Sequence, residues 1–361
     1  MTTRDVPPRE VDPGGSCLVL GGAGAVGRHL APMLGQVVPG VVVVASRCRH
    51  RAAAVAATVQ GGSTAVQLDP HDPTALSEAL RDVGTVVNCV EDPEGWVAGR
   101  CAERGVRYVD ISANAEVLGA VEARRADFLR SGTTAVLSVG VAPGLTNLLA
   151  THAVSRLAEA PARVEIGVLL GTGEAHGAAG ARWTAEGLAA APRGRGAGGN
   201  PRLTRFPEFG ARRAYPFPFS DQEHLRATLG VPVTTRLCFD NPAVTAAVFR
   251  ARRAVRPLVA RLGAGERVAA TAGRVRLGGS RFAVVAEAVG AGGGSARFGV
   301  TGDGQSRATA LVAARVVELM TSGAHPPGVF HLDQFVEPAR FLSSLTDAGL
   351  RWHERRNVGS G

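Results

Sequence analysis

The sequence predicts an α/β protein of two domains, a doubly wound parallel sheet followed by a second α/β domain built on a mixed, largely antiparallel sheet. Three observations predict it. Short apolar runs alternate with amphipathic helical stretches from Ser16 to Val139. A glycine-rich turn joins the first run to the first helix. Beyond Gly144 the alternation gives way to strand runs separated by glycine turns, as in an antiparallel meander. Strands alternating with helices bury both faces of a parallel sheet, and ligands bind such sheets beyond the carboxyl ends of the strands. The first domain is therefore of the Rossmann type.

The first element is the run Cys17–Leu20, followed by Gly21-Gly22-Ala23-Gly24-Ala25-Val26-Gly27. Gly22, Gly24 and Gly27 have the spacing G-x-G-x-x-G. In a dinucleotide site the first permits the turn, the second lets a pyrophosphate approach the backbone, and the third lets helix and strand pack closely. The helix start, with Ala25 and Val26, then offers N–H groups to the phosphates. Val26, Leu30 and Leu34 carry the helix's apolar face, and the second strand runs from Val41 to Ala45. NAD-selective sites place an acidic residue at the end of this strand. This chain has Ser46-Arg47 there, then Arg49, His50 and Arg51. A guanidinium fork suits a 2′-phosphate, so NADP(H) is the expected cofactor, with Ser46 and Arg47 as contacts.

The βα pattern continues through a helix at Ala52–Val59, a strand at Thr64–Leu68, a helix at Pro73–Arg81 and a strand at Thr85–Val90. A helix at Glu94–Arg104, a strand at Val106–Ile111, a helix at Glu116–Arg130 and a strand at Thr134–Val139 follow. In the second domain a helix is expected at Leu145–Leu157 and a strand at Arg163–Leu170. The residues 171–180 form a glycine-rich loop, Arg182–Ala190 a helix, Val231–Phe239 a strand and Val244–Leu262 a long basic helix. The runs Ala270–Leu277, Arg281–Val289 and Ala296–Val300 form the meander. Helices at Ser306–Ser322 and Pro338–Asp347 flank a short strand at Val329–Leu332.

Composition narrows the function. No apolar run approaches the roughly 18 residues that cross a bilayer, so no membrane association is expected. The five cysteines are scattered without a C-x-x-C pair, which points to reduced thiols and a cytoplasmic protein. The formal net charge is +9 and all 40 Lys+Arg positions are Arg. Without lysine, Schiff-base catalysis by the protein and a P-loop are excluded. Aromatic residues make up 5%, too few to interleave with arginines as a nucleic-acid stacking platform. Histidine, cysteine and acidic residues show no metal-ligand spacing. The polar, proline-rich residues 1–15 are expected to be a tail.

Five segments together resemble the saccharopine dehydrogenase (saccharopine reductase) family, which includes carboxynorspermidine dehydrogenase. They are Val19–Gly27; Val44-Ala45-Ser46-Arg47; Val86-Val87-Asn88-Cys89; Gly105-Val106-Arg107-Tyr108-Val109-Asp110-Ile111-Ser112; and Gly140-Val141-Ala142-Pro143-Gly144-Leu145-Thr146-Asn147-Leu148-Leu149-Ala150. The resemblance implies an NADP-binding domain over 16–145 to which 305–350 return, and a substrate and dimerisation domain over 146–304. A tail over 351–361 and a homodimer are expected. It also implies hydride transfer at a C–N bond, in which an imine formed from an amine and a carbonyl compound is reduced. The substrate is expected to carry amine and carboxylate groups. Reduction of an activated C=C bond and a non-catalytic NADP(H)-binding regulatory role are the alternatives. The chain departs from the family at Asp92-Pro93-Glu94-Gly95-Trp96 and in the arginine-rich stretch Arg193–Arg205.

The same resemblance places Asn88 and Cys89 beside the cofactor and the Pro143-Gly144 backbone beside the nicotinamide. Asp110 ends a strand at the ligand edge; it either binds an ammonium group or relays a proton, or it caps the following loop through Ser112 or Asn114. Ser112 and Asn147 are expected on the substrate side, Asn147 also as a helix cap. His176 is the candidate general acid, against the alternative of a surface histidine. Arg182 and Trp183 are candidates for a carboxylate and an apolar substrate part, against an ordinary amphipathic helix.

Overall fold

The computed structural model describes residues 15–174, 183–184, 186–188, 200–251 and 278–357, with side chains to 355. In chain order the strands are β1 (Ser16–Leu20), β2 (Val42–Ser46), β3 (Ser63–Gln67), β4 (Val83–Asn88), β5 (Arg107–Asp110), β6 (Thr134–Leu137) and β7 (Pro161–Leu170). They continue with β8 (Arg202–Phe206), β9 (Gly210–Pro216), β10 (Val233–Phe239), β11 (Arg281–Gly290), β12 (Ser295–Asp303), β13 (Gly328–His331) and β14 (Arg351–Asn357). The chain divides into two compact units, Met1–Val139 with Ala310–His331, and Gly140–Thr309 with Leu332–Gly361.

The first unit is a seven-stranded sheet in the order β13-β6-β5-β4-β1-β2-β3. Every pairing in it is parallel. The order reverses at β1, flanked by β4 and β2, which is where a doubly wound sheet opens a crevice for a ligand. The strands are near-continuous apolar runs because both faces are covered. Leu18, Leu20, Val86, Tyr108, Leu137 and Val329 pack with Leu76, Val97, Cys101 and Phe128 from the helices Pro73–Ala79, Trp96–Arg104 and Arg125–Ser131. The single helix expected over Glu116–Arg130 is two, Ala115–Glu122 and Arg125–Ser131.

The second unit is also seven-stranded, in the order β14-β12-β11-β7-β10-β9-β8. Only β7 and β10 run parallel; the other pairings are antiparallel. The helix Thr146–Ser155 packs on the sheet's β7, β11 and β12. His152 on that helix meets the Phe298 ring at 4.4 Å and the Trp352 ring at 5.4 Å. Ala286 pairs with Phe298 and so shares its face. Ala283 and Val285 alternate to the other face, where they join Leu169, Phe206, Ala214 and Cys238 in a second apolar cluster. The sheet thus has a core on each side.

The carboxyl-terminal residues are shared differently from expectation. Of 305–350, residues 310–331 group with the first unit and 332–350 with the second. The expected tail over 351–361 begins instead with β14, which pairs with β12 from Ser295↔Asn357 to Thr301↔Arg351. Its polar residues alternate on an edge strand, a pattern that resembles an exposed tail when read alone. The run Ala270–Leu277 lies outside the described residues, as does most of the helix expected at Val244–Leu262, of which 242–251 is helical.

Candidate active site

The glycine turn is built by close backbone approach. Gly22 N donates to Ala45 O at 2.9 Å and Gly24 N to Gly21 O at 2.8 Å. The left-handed residue of the turn is Gly21, at φ +72°, so the conformational demand assigned to Gly22 falls one residue earlier. A Cβ on Gly27 would lie 2.5 Å from Gly22 Cα and 2.6 Å from Gly21 O. One on Gly24 would meet only Gly21 O, at 3.0 Å, and Gly24 is exposed. The N–H groups of Ala25, Val26 and Gly27 make no hydrogen bond among the described residues. Three unpaired donors at the start of the helix Gly27–Val37 form a ready anion site.

At the end of β2, Ser46 Oγ accepts from Cys48 N at 3.3 Å. Arg47 is exposed, and no carboxylate occupies the strand end. An anion at this position would meet a guanidinium and a hydroxyl.

Asn88 and Asp110 end the adjacent strands β4 and β5 and pair in register. Tyr108 and Asp110, two residues apart, project on one face. The Tyr108 hydroxyl donates to Asp110 Oδ2 at 2.5 Å, Asn88 Nδ2 to the same oxygen at 3.1 Å, and Ser112 N to Oδ1 at 2.6 Å. Asp110 is fully buried. Burial pushes its carboxyl above the usual range, the bonds from Tyr108, Ser112 and Asn88 oppose this, and Asp92 adds to the rise. The carboxylate is spanned by three donors, one of them the N–H of Ser112 in the following loop. Ser112 Oγ accepts from Asn114 N at 3.1 Å, and Asn114 Oδ1 from Glu116 N at 2.9 Å, which starts the next helix. Cys89 adjoins this group. Burial, then Asp110 and Cys17, push its thiol far up, which disfavours the thiolate.

Residues that sequence reasoning missed stand at the same sheet edge. Ser138 follows β6 and His331 ends β13, parallel neighbours. Ser138 Oγ is 2.7 Å from His331 Nδ1, and His331 Nε2 is 2.5 Å from Glu122 Oε1. Ser138 is fully buried and the Glu122 side chain is 48% exposed, so the three form a hydrogen-bonded row from interior to surface. Such a row can hold or pass a proton. Its members are separated by 193 and 209 positions, and no local pattern announces them.

In the second unit, Ala142–Pro143 is a cis peptide and Gly144 has φ +131°. Asn147 Oδ1 accepts from Gly144 N at 3.1 Å, and Asn147 Nδ2 donates to Asp333 Oδ1 at 3.2 Å. His224 Nε2 lies 3.1 Å from both Asp333 oxygens. Asn147 is therefore a buried clasp on the Pro143-Gly144 turn. Asp221, one helical turn before His224, is 1% exposed and neither oxygen has a hydrogen-bond partner among the described residues. Sequence analysis singled out none of Asp221, His224 and Asp333. Trp183 meets the Phe217 and Phe219 rings at 5.0 and 5.3 Å, an aromatic packing role. His176 and Arg182 lie outside the described residues.

Residues 17–136 match the family model described as the saccharopine dehydrogenase NADP binding domain, about a third of the chain. Apo saccharopine dehydrogenase (L-Glu forming) from Saccharomyces cerevisiae superposes with a TM-score of 0.63 at 15% identity, covering 94% of this chain and 100% of that one. GenD2 from gentamicin A biosynthesis, in complex with NAD, covers 99% of this chain and 100% of its own at 16% identity, with a TM-score of 0.44, too loose to bear on the fold. No curated protein matches the chain in sequence. The nicotinamide dinucleotide expected from the glycine turn agrees with the family model, and Gly22, Gly24 and Gly27 lie inside the matched range. Residues 17–136 thus match the saccharopine dehydrogenase NADP binding domain, and the fold of the chain is similar to that of the yeast saccharopine dehydrogenase.

Proposed function

We propose that the protein is an NADP(H)-dependent oxidoreductase acting on a C–N bond. It reduces an imine formed from an amino-acid or polyamine-like amine and a carbonyl compound, or runs the reverse oxidation. The observation that carries this reading is the cofactor domain itself, in which three free N–H groups lie at the helix start and Arg47 replaces the acidic residue of NAD-selective sites. The cofactor supplies the hydride; the fold supplies orientation. A nicotinamide held by the glycine turn and Arg47 would supply the hydride to the iminium carbon, whose C=N π pair would become the nitrogen lone pair. Within the first unit, Asn88 and Asp110 would fix the strand ends that border the nicotinamide, with Ser112 on the substrate side, and the Ser138–His331–Glu122 row would hold or pass a proton. The protein works as a cytoplasmic homodimer, which light scattering of the purified chain would test.

Calorimetric titration of NADPH and NADH into wild type and Arg47→Ala tests the cofactor reading. Tight NADPH binding, weakened about tenfold or more in the variant with NADH unchanged, is expected for a lost charge-assisted phosphate contact. Binding of neither cofactor sinks the reading. NADPH oxidation is then screened with amine–carbonyl pairs. Turnover that ignores the amine would move the assignment to C=C reduction, and tight binding without turnover to a regulatory protein.

A further inference from the structure

We propose that Asp221 anchors a binding site for a primary ammonium group within the second unit. Its carboxylate starts the helix Asp221–Leu229 and is 1% exposed. Neither oxygen is hydrogen-bonded among the described residues, and the neighbouring Ser220 Oγ is likewise buried without a partner. An isolated buried carboxylate costs several kcal/mol or more unless paired. Ser220 at the cap makes no side-chain bond, and the backbone N–H of Asp221 itself favours the ionised carboxylate without meeting hydrogen-bond geometry. The Thr146 hydroxyl is near enough to favour ionised Asp221 but stands outside hydrogen-bond geometry.

The surroundings favour a cation. Among the described residues, Asp333 adds negative charge at Asp221 and His224 opposes it. Asp333 is engaged by Asn147 and His224. Asp221 therefore faces an acceptor-rich environment in which the missing partner must donate. An ammonium group brings three N–H donors, which matches two carboxylate oxygens and a hydroxyl. A hard divalent cation needs six or more oxygens, which this group does not offer. Asp333 is joined through Asn147 to the Pro143-Gly144 turn. That this ammonium belongs to the amine substrate rests on the function proposed above; the cation site itself does not.

The test titrates n-butylammonium chloride into NADPH-saturated full-length protein at pH 7.5, followed by calorimetry, against n-butanol and KCl. Saturable binding of the amine, none of the alcohol, and at least tenfold weakening in Asp221→Asn but not in surface Glu103→Gln are expected. Should Asp221→Asn fail to fold, the melting temperature of wild type decides, rising with n-butylammonium more than with equal KCl. Equal binding of the alcohol, equal effect of KCl, undiminished binding in Asp221→Asn, or no binding to wild type each overturns the proposal. NADPH binding without amine binding defeats this site alone. Amine binding without NADPH binding defeats the oxidoreductase reading and leaves the site standing.

Discussion

Ser138 Oγ lies 2.7 Å from His331 Nδ1 across 193 positions of sequence, and Ser138 holds φ +58° to place it there. A left-handed backbone on a non-glycine residue costs on the order of 1 kcal/mol or more. The contact ties the end of β6 to the end of β13 at the edge where the parallel sheet meets its ligands.

The pair separates backbone strain from hydrogen bonding. Ser138→Ala keeps the strained φ and removes the bond to His331 Nδ1, so it is expected to lose about 1 kcal/mol. Ser138→Gly loses the same bond but relieves the backbone, and is expected to unfold at higher urea than Ser138→Ala. Urea denaturation of both variants checks the order; equal midpoints would mean that φ +58° carries no strain.

The two ends of the glycine motif have different tasks. Gly27→Ala places a Cβ 2.5 Å from Gly22 Cα, so the helix must move from the strand and stability is expected to fall by about 1–3 kcal/mol. Gly24→Ala meets only one carbonyl at 3.0 Å. It is expected to keep its melting temperature within a few degrees while NADPH affinity falls at least tenfold, because the methyl stands where pyrophosphate approaches. Thermal melts and NADPH titrations on both variants separate packing from binding.

Asp221 gives a pH signature. Burial, the leading cause, raises its carboxyl from 3.8 to about 6, with Asp333 adding to the rise and Thr146 and His224 opposing it. A raised folded-state value means that the folded protein holds the proton more tightly than the unfolded chain. The associated stability is full below pH 3.8 and is lost as pH rises through about 6. The loss is on the order of 3 kcal/mol. Asp221→Asn removes the titration, so its stability relative to wild type is expected to improve between pH 4 and pH 7. A pH-independent difference in denaturation midpoint would contradict this.

Thiol labelling reads the buried cysteines. Cys48 is exposed, whereas Cys17, Cys101 and Cys238 are buried and Cys89 is half-buried. Burial pushes the thiols of Cys17 and Cys238 up to about 12 and those of Cys89 and Cys101 further. Iodoacetamide at pH 8 is expected to modify Cys48 alone in the native protein, with the other four following only in denaturant. Rapid native labelling of Cys89, followed by peptide mass spectrometry, would count against its burial.

The glycine turn and the absence of an acid at the β2 end were legible because each is a local statement. The turn spans residues 21–27, and β2 ends at Ser46. The Asp110 group was half legible. Tyr108, Asp110 and Ser112 alternate within one short segment, so strand periodicity puts the first two on one face. Asn88 reaches them only through the β4–β5 register.

By itself, the sequence determined the alternation of strands and helices, the phosphate turn, the lack of lysine chemistry and the basic cofactor edge. These depend on residues a few positions apart, whose relation is set by strand and helix geometry. Tertiary structure alone decided that β14 joins the second sheet, that Ser138 meets His331 and Glu122, and that Asn147, His224 and Asp333 converge beside Asp221. Those contacts join residues about one hundred or more positions apart. Their partners are chosen by which sheet edges the chain returns to and in what register, and this is set by burial summed over a whole unit rather than by any local pattern.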